Sequence, residues 1–154
     1  MIVVKFGGHA MRDENGAFAK AIAMAQANGV ELVIVHGGGP QIDAALQDEG
    51  ITSTFVGGFR VTTPEIFAVV ERVLADEVGP AIARSLQREG VNAVALSGRK
   101  SESLIAAPLR ELVDGTPADL GLVGVVTAVN HQAIKNALKG GQIPVISPIA
   151  TDEN

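Results

Sequence analysis

The chain has 154 residues and a net charge of −5, enough for one domain with a real hydrophobic core but small for a two-lobed enzyme that must enclose two substrates. Its basic residues are scattered among acidic ones, so no patch suits a nucleic-acid backbone. The absence of cysteine excludes disulfides and thiolate metal sites. No apolar run approaches the roughly 18 residues of a membrane span, and Met1 leads into "IVVKFGG" without the charged and apolar regions of a leader. A cytoplasmic location is the default expectation.

With 47% hydrophobic residues but only 3% aromatics, the core must be built from Val, Ile, Leu and Ala, the usual filling of a parallel sheet covered by helices. "IVVKF" reads as a first strand, residues 13–28 as an alanine-rich helix stopped by Gly29, and "ELVIV" as a second strand. Pro40 opens a helix at its first turn, running to about Glu49 before Gly50. "TSTFVGGFRVTT" alternates around a Gly-Gly pair as a hairpin would. Residues 63–89 carry the longest helical pattern, with a kink expected at Gly79-Pro80. "NAVAL" is a buried strand, residues 104–129 read as short antiparallel strands, residues 131–138 as a helix, and "IPVISPI" as a last strand.

Strands followed by helices argue for an α/β fold, an open and mainly parallel sheet between helical layers with an antiparallel flap. In such sheets the ligand sits outside the carboxyl ends of the strands. Gly7-Gly8 and Gly37-Gly38-Gly39 both follow strands, so both are expected to line one crevice.

Consecutive glycines let backbone N–H groups converge on an anion without an intervening Cβ, and a helix starting at Pro40 would add the positive end of its dipole. A tight strand-to-helix turn is the plainer alternative. Lys5 is either a ligand for a phosphoryl oxygen, since a lysine in a buried strand is costly to desolvate without an anion, or an edge lysine that reaches water. Arg60 either grips a carboxylate or is simply solvated. His9, His36 and His131 have no ligand spacing, so no metal site is expected. The P-loop, dinucleotide and nucleophile-elbow signatures are absent. Phosphoryl transfer and acidic-metabolite binding remain as the classes that fit.

"KFGGHA", "VIVHGGGPQID" and "GGFRVTTPE", in this order and spacing, resemble the amino-acid kinase family and, within it, the acetylglutamate kinases; "DLGLVGVVTAVN" and "IPVISPIATDE" extend the resemblance over the whole chain. It implies an amino-acid (carbamate) kinase-like fold, a three-layer αβα sandwich, of which this chain is the N-terminal half, a single domain over 1–154 corresponding to the acceptor-binding lobe. It also implies transfer of the γ-phosphoryl of ATP, with Mg2+, to the side-chain carboxylate of N-acetyl-L-glutamate in arginine synthesis.

By position, the resemblance makes Lys5 the catalytic transition-state stabiliser, Gly7, Gly8 and Gly39 binders of the phosphoryl group, and Gly38, Gly39 and Arg60 binders of the acceptor. The family's nucleotide-binding half has no counterpart in these residues, so the chain alone is expected to be an inactive lobe. "SGRKSES" departs from the family's usual turn. A homodimer through residues 63–89 is expected, as is a central place for "IPVISPI", whose edge would be an aggregation hazard if unpaired. A kinase for another acidic acceptor, such as an aminoadipate derivative or carbamate, and a non-catalytic dimeric domain binding an acidic metabolite, are the alternatives.

Overall fold

A computed structural model describes residues 1–7, 11 and 15–152. Four strands form a wholly parallel sheet: β1 (Ile2–Phe6), β2 (Leu32–His36), β5 (Ala93–Ser97) and β8 (Ile143–Ser147), in the order β1-β2-β8-β5. The apolar runs explain the order. "LVIVH" and "IPVIS" can be covered on both faces and stand in the middle, with every residue of β8 buried. β8 pairs on one side with β2 and on the other with β5, so it exposes no edge. The two edges are instead β1 and β5, and on β1 Ile2 and Val3 are 52% and 62% exposed.

Helices fill the connections: α1 (Ala17–Ala27), α2 (Gly39–Asp48), α3 (Pro64–Glu71), α4 (Gly79–Arg88) and α5 (Gln132–Lys139). The start expected for the first helix at Asp13 lies outside the described residues. α1 packs on α4, α4 on β5 and β8, α2 on α3, and α5 on β8. Ile34, Val73, Leu86 and Val145 are fully buried at the centre of this core.

α3 begins where the Thr63 side chain accepts the Ile66 N–H at 3.2 Å, with Pro64 in the first turn. Within residues 63–89, where a kink was expected at Gly79-Pro80, the helix is irregular in the turn that ends there. A π-helical segment, Arg72–Val78, joins α3 to α4, and the Gly79 N–H donates to the Leu74 carbonyl five residues back. A proline ring inside a helix crowds the carbonyl four residues earlier and supplies no N–H. The wider π turn precedes Pro80 and takes up the irregularity before the proline is reached.

The hairpin β3 (Phe55–Val56) and β4 (Phe59–Arg60) turns through Gly57 and Gly58, both at positive φ, the conformation a two-residue I′-type loop requires. A second sheet, order β7-β6-β9, comprises β6 (Leu104–Pro108), antiparallel β7 (Gly124–Val129) and parallel β9 (Thr151–Asp152). The expected antiparallel region is thus present as β6 and β7.

Thr62 ties the hairpin to that region: its N–H donates to the Leu120 carbonyl at 3.0 Å, and its own carbonyl accepts the Leu122 N–H at 2.7 Å. Between them, Gly121 has φ +64°, and a Cβ there would stand 2.2 Å from the Thr62 carbonyl oxygen. Gly121→Ala therefore meets both a disfavoured backbone conformation and a backbone clash. It is expected to destabilise the fold by about 1–3 kcal/mol in urea unfolding, and an unchanged midpoint would contradict this account of the junction.

Candidate functional site

The parallel register sets Lys5 opposite Val35 and Phe6 opposite His36, so the two glycine loops leave the same end of the sheet. The Gly37 N–H donates to the Phe6 carbonyl at 2.9 Å. A Cβ on Gly7 would lie 3.7 Å from the Gly37 nitrogen, and one on Gly37 would lie 3.9 Å from the Gly7 Cα. The loops after β1 and β2 therefore lie backbone against backbone. Gly8 lies outside the described residues.

Phe6 turns inward and stacks on Phe18 with ring centroids 3.7 Å apart. The two-residue period of a strand sends Lys5 to the opposite face, where it is exposed. The desolvation cost expected for a lysine in a buried strand does not arise, because β1 is an edge strand. Among the described residues no acceptor or carboxylate engages the Lys5 ammonium.

The three glycines after β2 differ from one another. Gly38 has φ 163°, extended backbone open to any residue, yet it is buried, and a Cβ on it would stand 2.5 Å from Leu74 Cδ2 and 3.5 Å from Val78 Cγ2. Packing, not conformation, keeps a side chain out. Gly39, the first residue of α2, is exposed, and a Cβ there would meet nothing within 4 Å. Neither the Gly38 nor the Gly39 N–H donates to another described residue. Together with the dipole of α2, these donors form a place where an anion is favoured.

Arg60, on β4, reaches over α2. Its Nη2 donates to Asp43 Oδ1 at 2.6 Å, its Nη1 to Ser53 Oγ at 2.5 Å, and its guanidinium lies 4.6 Å from the Phe55 ring centroid. Asp43 is four residues beyond Gly39, one helical turn, and so rises from the same side of α2 as the loop. The Arg60 side chain is 11% exposed, Asp43 60%. The guanidinium is held in place while donors beyond the two engaged here remain for a ligand.

His36 is 2% exposed. Its Nδ1 donates to the Gly37 carbonyl at 2.8 Å, since a carbonyl can only accept, which leaves Nε2 as a buried lone pair with no described donor. Burial pushes the imidazole below its ordinary value, and the bond to the Gly37 carbonyl offsets only part of that.

The structure thus brings Gly7 against Gly37 and sets Arg60 on the helix that begins at Gly39; it joins Lys5 to Arg60 by no described contact. Asp43 and Ser53 did not emerge from the sequence reading, and His36 emerged only as a metal ligand to be set aside. The Gly39-to-Asp43 spacing was a signal for the first, whereas Ser53 and the hydrogen-bonding role of His36 had none. The stretch "SGRKSES" docks on the long helix, with Arg99 paired to Glu71 at 2.7 Å and Lys100 to Asp76 at 2.5 Å.

A profile described as the amino acid kinase family matches residues 1–154. The chain belongs to that family. An acetylglutamate kinase of Rhodococcus jostii is 44% identical over the whole chain but matched over 51% of its own length, and one of Nocardia farcinica is 46% identical over 99% of this chain and 51% of its own length. The chain therefore spans about half the length of the curated relatives it matches.

Among solved structures, smu.665 of Streptococcus mutans superposes with a TM-score of 0.85 at 30% identity, covering 98% of this chain and 59% of that one. A carbamate kinase of Giardia lamblia bound to AMP-PNP reaches 0.55 at 15% identity over 97% of this chain and 56% of that one, a likeness of fold alone. The α/β architecture with its mainly parallel sheet is that of the family.

The neutral, buried state of His36 has a consequence for stability. Between its depressed folded value and the ordinary value near 6.5, the unfolded chain binds a proton that the folded chain does not, so stability falls as pH is lowered through that window. The contribution is fully present above about pH 6.5 and declines below it, with a limiting slope of about 1.4 kcal/mol per pH unit. Urea unfolding from pH 7.5 to 5 is expected to show this component in the native protein and to lack it in His36→Asn.

Proposed function

We propose that this site is the acceptor half of an acetylglutamate kinase, in which the γ-phosphoryl of ATP passes to the side-chain carboxylate of N-acetyl-L-glutamate. The observation that carries the reading is the pair of abutting glycine loops at the start of α2, with the Arg60 guanidinium fixed one turn along the helix. Curated relatives 42–46% identical bearing that name support it.

On this reading a carboxylate oxygen of the acceptor attacks the γ-phosphorus, the bond to the bridging oxygen breaks, and ADP leaves with the electron pair. Charge spreads over the equatorial oxygens of the transferring group. The N–H group of Gly39 and the ammonium of Lys5 stabilise that charge, with Gly7 and Gly8 letting the phosphoryl group approach the strand ends, while the Gly38 and Gly39 N–H groups hold the attacking carboxylate of the acceptor. Arg60, its other donors on Asp43 and Ser53, takes the α-carboxylate of the acceptor.

Among the described residues no group of three or more His, Asp or Glu could hold a metal ion. Mg2+ would come with ATP and be held mainly by the nucleotide-binding half of the kinase. The reading carries with it a cytoplasmic location and a role in arginine biosynthesis. The net charge of −5 accords with a small-molecule partner and not nucleic acid. Among the described residues no helix is long and apolar enough to cross a membrane.

Calorimetry tests the acceptor assignment. N-acetylglutamate is expected to bind the protein, with Arg60→Ala weakening it at least tenfold; equal affinity in the variant would refute the role of Arg60. In the full-length kinase context, Lys5→Ala should lower kcat by about 10²–10³, equivalent to about 2.7–4 kcal/mol of barrier, with little change in acceptor KM. Residues 1–154 alone, about half of the relatives' length, are expected to bind the acceptor without turning over ATP, so acetylglutamate-dependent ADP release by that polypeptide would overturn the division of labour.

A homodimer through residues 63–89 completes the reading. The exposed side of that helix carries Arg72, paired with Glu49 and Glu77, so a dimer there would meet through charged groups around the half-buried Phe67 and Val70. Sedimentation at tens of micromolar is expected to give a dimer that weakens with salt.

A further inference from the structure

His36 is not among the groups that touch substrate in the reading above, yet it is the buried polar side chain nearest in sequence to the glycine loop. Its Nδ1–H donates to the Gly37 carbonyl at 2.8 Å. That carbonyl belongs to the peptide joining Gly37 to Gly38. In a trans peptide the C=O and the N–H point in opposite directions. No peptide in the described chain is cis. A carbonyl turned inward to the imidazole therefore turns the Gly38 N–H away from the imidazole.

The destination of that N–H is the second observation. Gly38 is buried, and its N–H donates to no described residue. Buried backbone donors left unpaired are rare in folded proteins, because each forfeits its hydration without return. The Gly37 N–H, by contrast, is satisfied on the Phe6 carbonyl. One peptide of the loop is thus used to hold the strands together, and the donor of the next is taken up by no described residue.

The third observation is what surrounds the imidazole. A Cβ on Gly79 would lie 3.1 Å from His36 Nε2 and 3.2 Å from the Leu74 carbonyl oxygen. The absence of a side chain at Gly79 lets the end of the π-helical segment close over the ring, while Leu74 and Val78 of the same segment press on Gly38. The ring is clamped, and its Nε2 lone pair is left without a donor among the described residues. A histidine in this tautomer acts in one direction, toward Gly37.

We propose that His36 is a positioning residue: its Nδ1–H fixes the Gly37–Gly38 peptide so that the Gly38 N–H is presented, unpaired, to an oxyanion of the ligand. The inference deepens the acetylglutamate kinase reading and rests on it for the identity of that ligand. Its geometric content, the tautomer and the peptide orientation, stands apart from the ligand.

Nuclear magnetic resonance on protein labelled with 15N at histidine and with 13C and 15N at glycine tests the geometric part without ligand. The native protein is expected to carry its His36 proton on Nδ1, with the Gly37 carbonyl resonance shifted as for a hydrogen-bonded acceptor. A proton on Nε2 would overturn the proposal outright.

His36→Asn places an amide N–H where Nδ1 stood, and His36→Leu keeps the bulk without the donor. Asn is expected to hold the Gly38 amide resonance near its native position and acceptor affinity within about threefold. Leu should shift that resonance and weaken N-acetylglutamate binding about tenfold, the size of effect one lost hydrogen bond gives. Equal behaviour of the two variants would overturn the positioning role. If native protein binds no N-acetylglutamate, the functional reading fails, while the tautomer and the Gly38 resonance still decide the role of His36. Should the Leu variant not fold, the native tautomer and the Asn variant decide it.

Discussion

The site depends on one steric constraint: Leu74 occupies the space where a side chain on Gly38 would have to be, with Val78 in van der Waals contact beside it. Because Gly38 lacks a Cβ, the π-helical segment can lie directly on the loop after β2. From that contact the remaining geometry follows. The loop is held by the π-helical segment against Gly38, by the Gly37 N–H on the Phe6 carbonyl, and by the His36 ring on the Gly37 carbonyl. A loop of three glycines would otherwise be the most mobile backbone in the molecule. Here its entropy has been removed by neighbours, so that its N–H groups can point in fixed directions without side chains that would obstruct a ligand.

Arg60 follows the same logic with charge in place of packing. A guanidinium on a two-residue strand of a short hairpin would sample many rotamers. Asp43, Ser53 and the Phe55 ring hold it over α2 before any ligand arrives. The ion pair with an exposed aspartate adds little to folding by itself. Its effect is on the ligand's side, since a side chain already ordered loses less freedom on binding. The charge of Asp43 also means that a ligand carboxylate must share Arg60 and not capture it alone.

Much of this was legible in the sequence. The four strands of the parallel sheet announced themselves as short aliphatic runs, because a strand covered on both faces has no need of alternation, and the loops could be placed at their carboxyl ends by order alone. "TSTFVGGFRVTT" gave its hairpin away through a Gly-Gly pair that suits one kind of turn. The π-helical segment could not be read, since Arg72 to Val78 bury Val73, Leu74 and Val78, a pattern that an ordinary helix also satisfies. Gly79-Pro80 marked the place of the irregularity but not its form, a π turn that ends at Gly79.

The edge position of β1 was likewise hidden, because strand order is a tertiary fact, and it leaves Lys5 exposed, as one of its two readings had it. His36 was weighed only as a metal ligand, for which spacing along the chain matters; its partner proved to be the adjacent backbone. The pairing of Arg60 with Asp43 joins residues on separate elements and has no local signature.

The Thr62–Gly121 junction makes the hairpin something other than a flap. Its base is closed by the Val61 N–H on the Thr54 carbonyl, its exit is spliced into the chain leading to β7, and its tip rests on Leu112 at Gly57. An arm closed at its base and fastened at its exit and its tip works as a calliper: the span between the Arg60 guanidinium and the loop donors is set before a molecule enters. A swinging arm would accept acidic molecules of many lengths, whereas a fixed span admits those whose two anionic ends match it. On the proposed reading, selection among acceptors by carbon-chain length would then lie in how the connection from β6 to β7 seats the hairpin, at residues that never meet the molecule being measured.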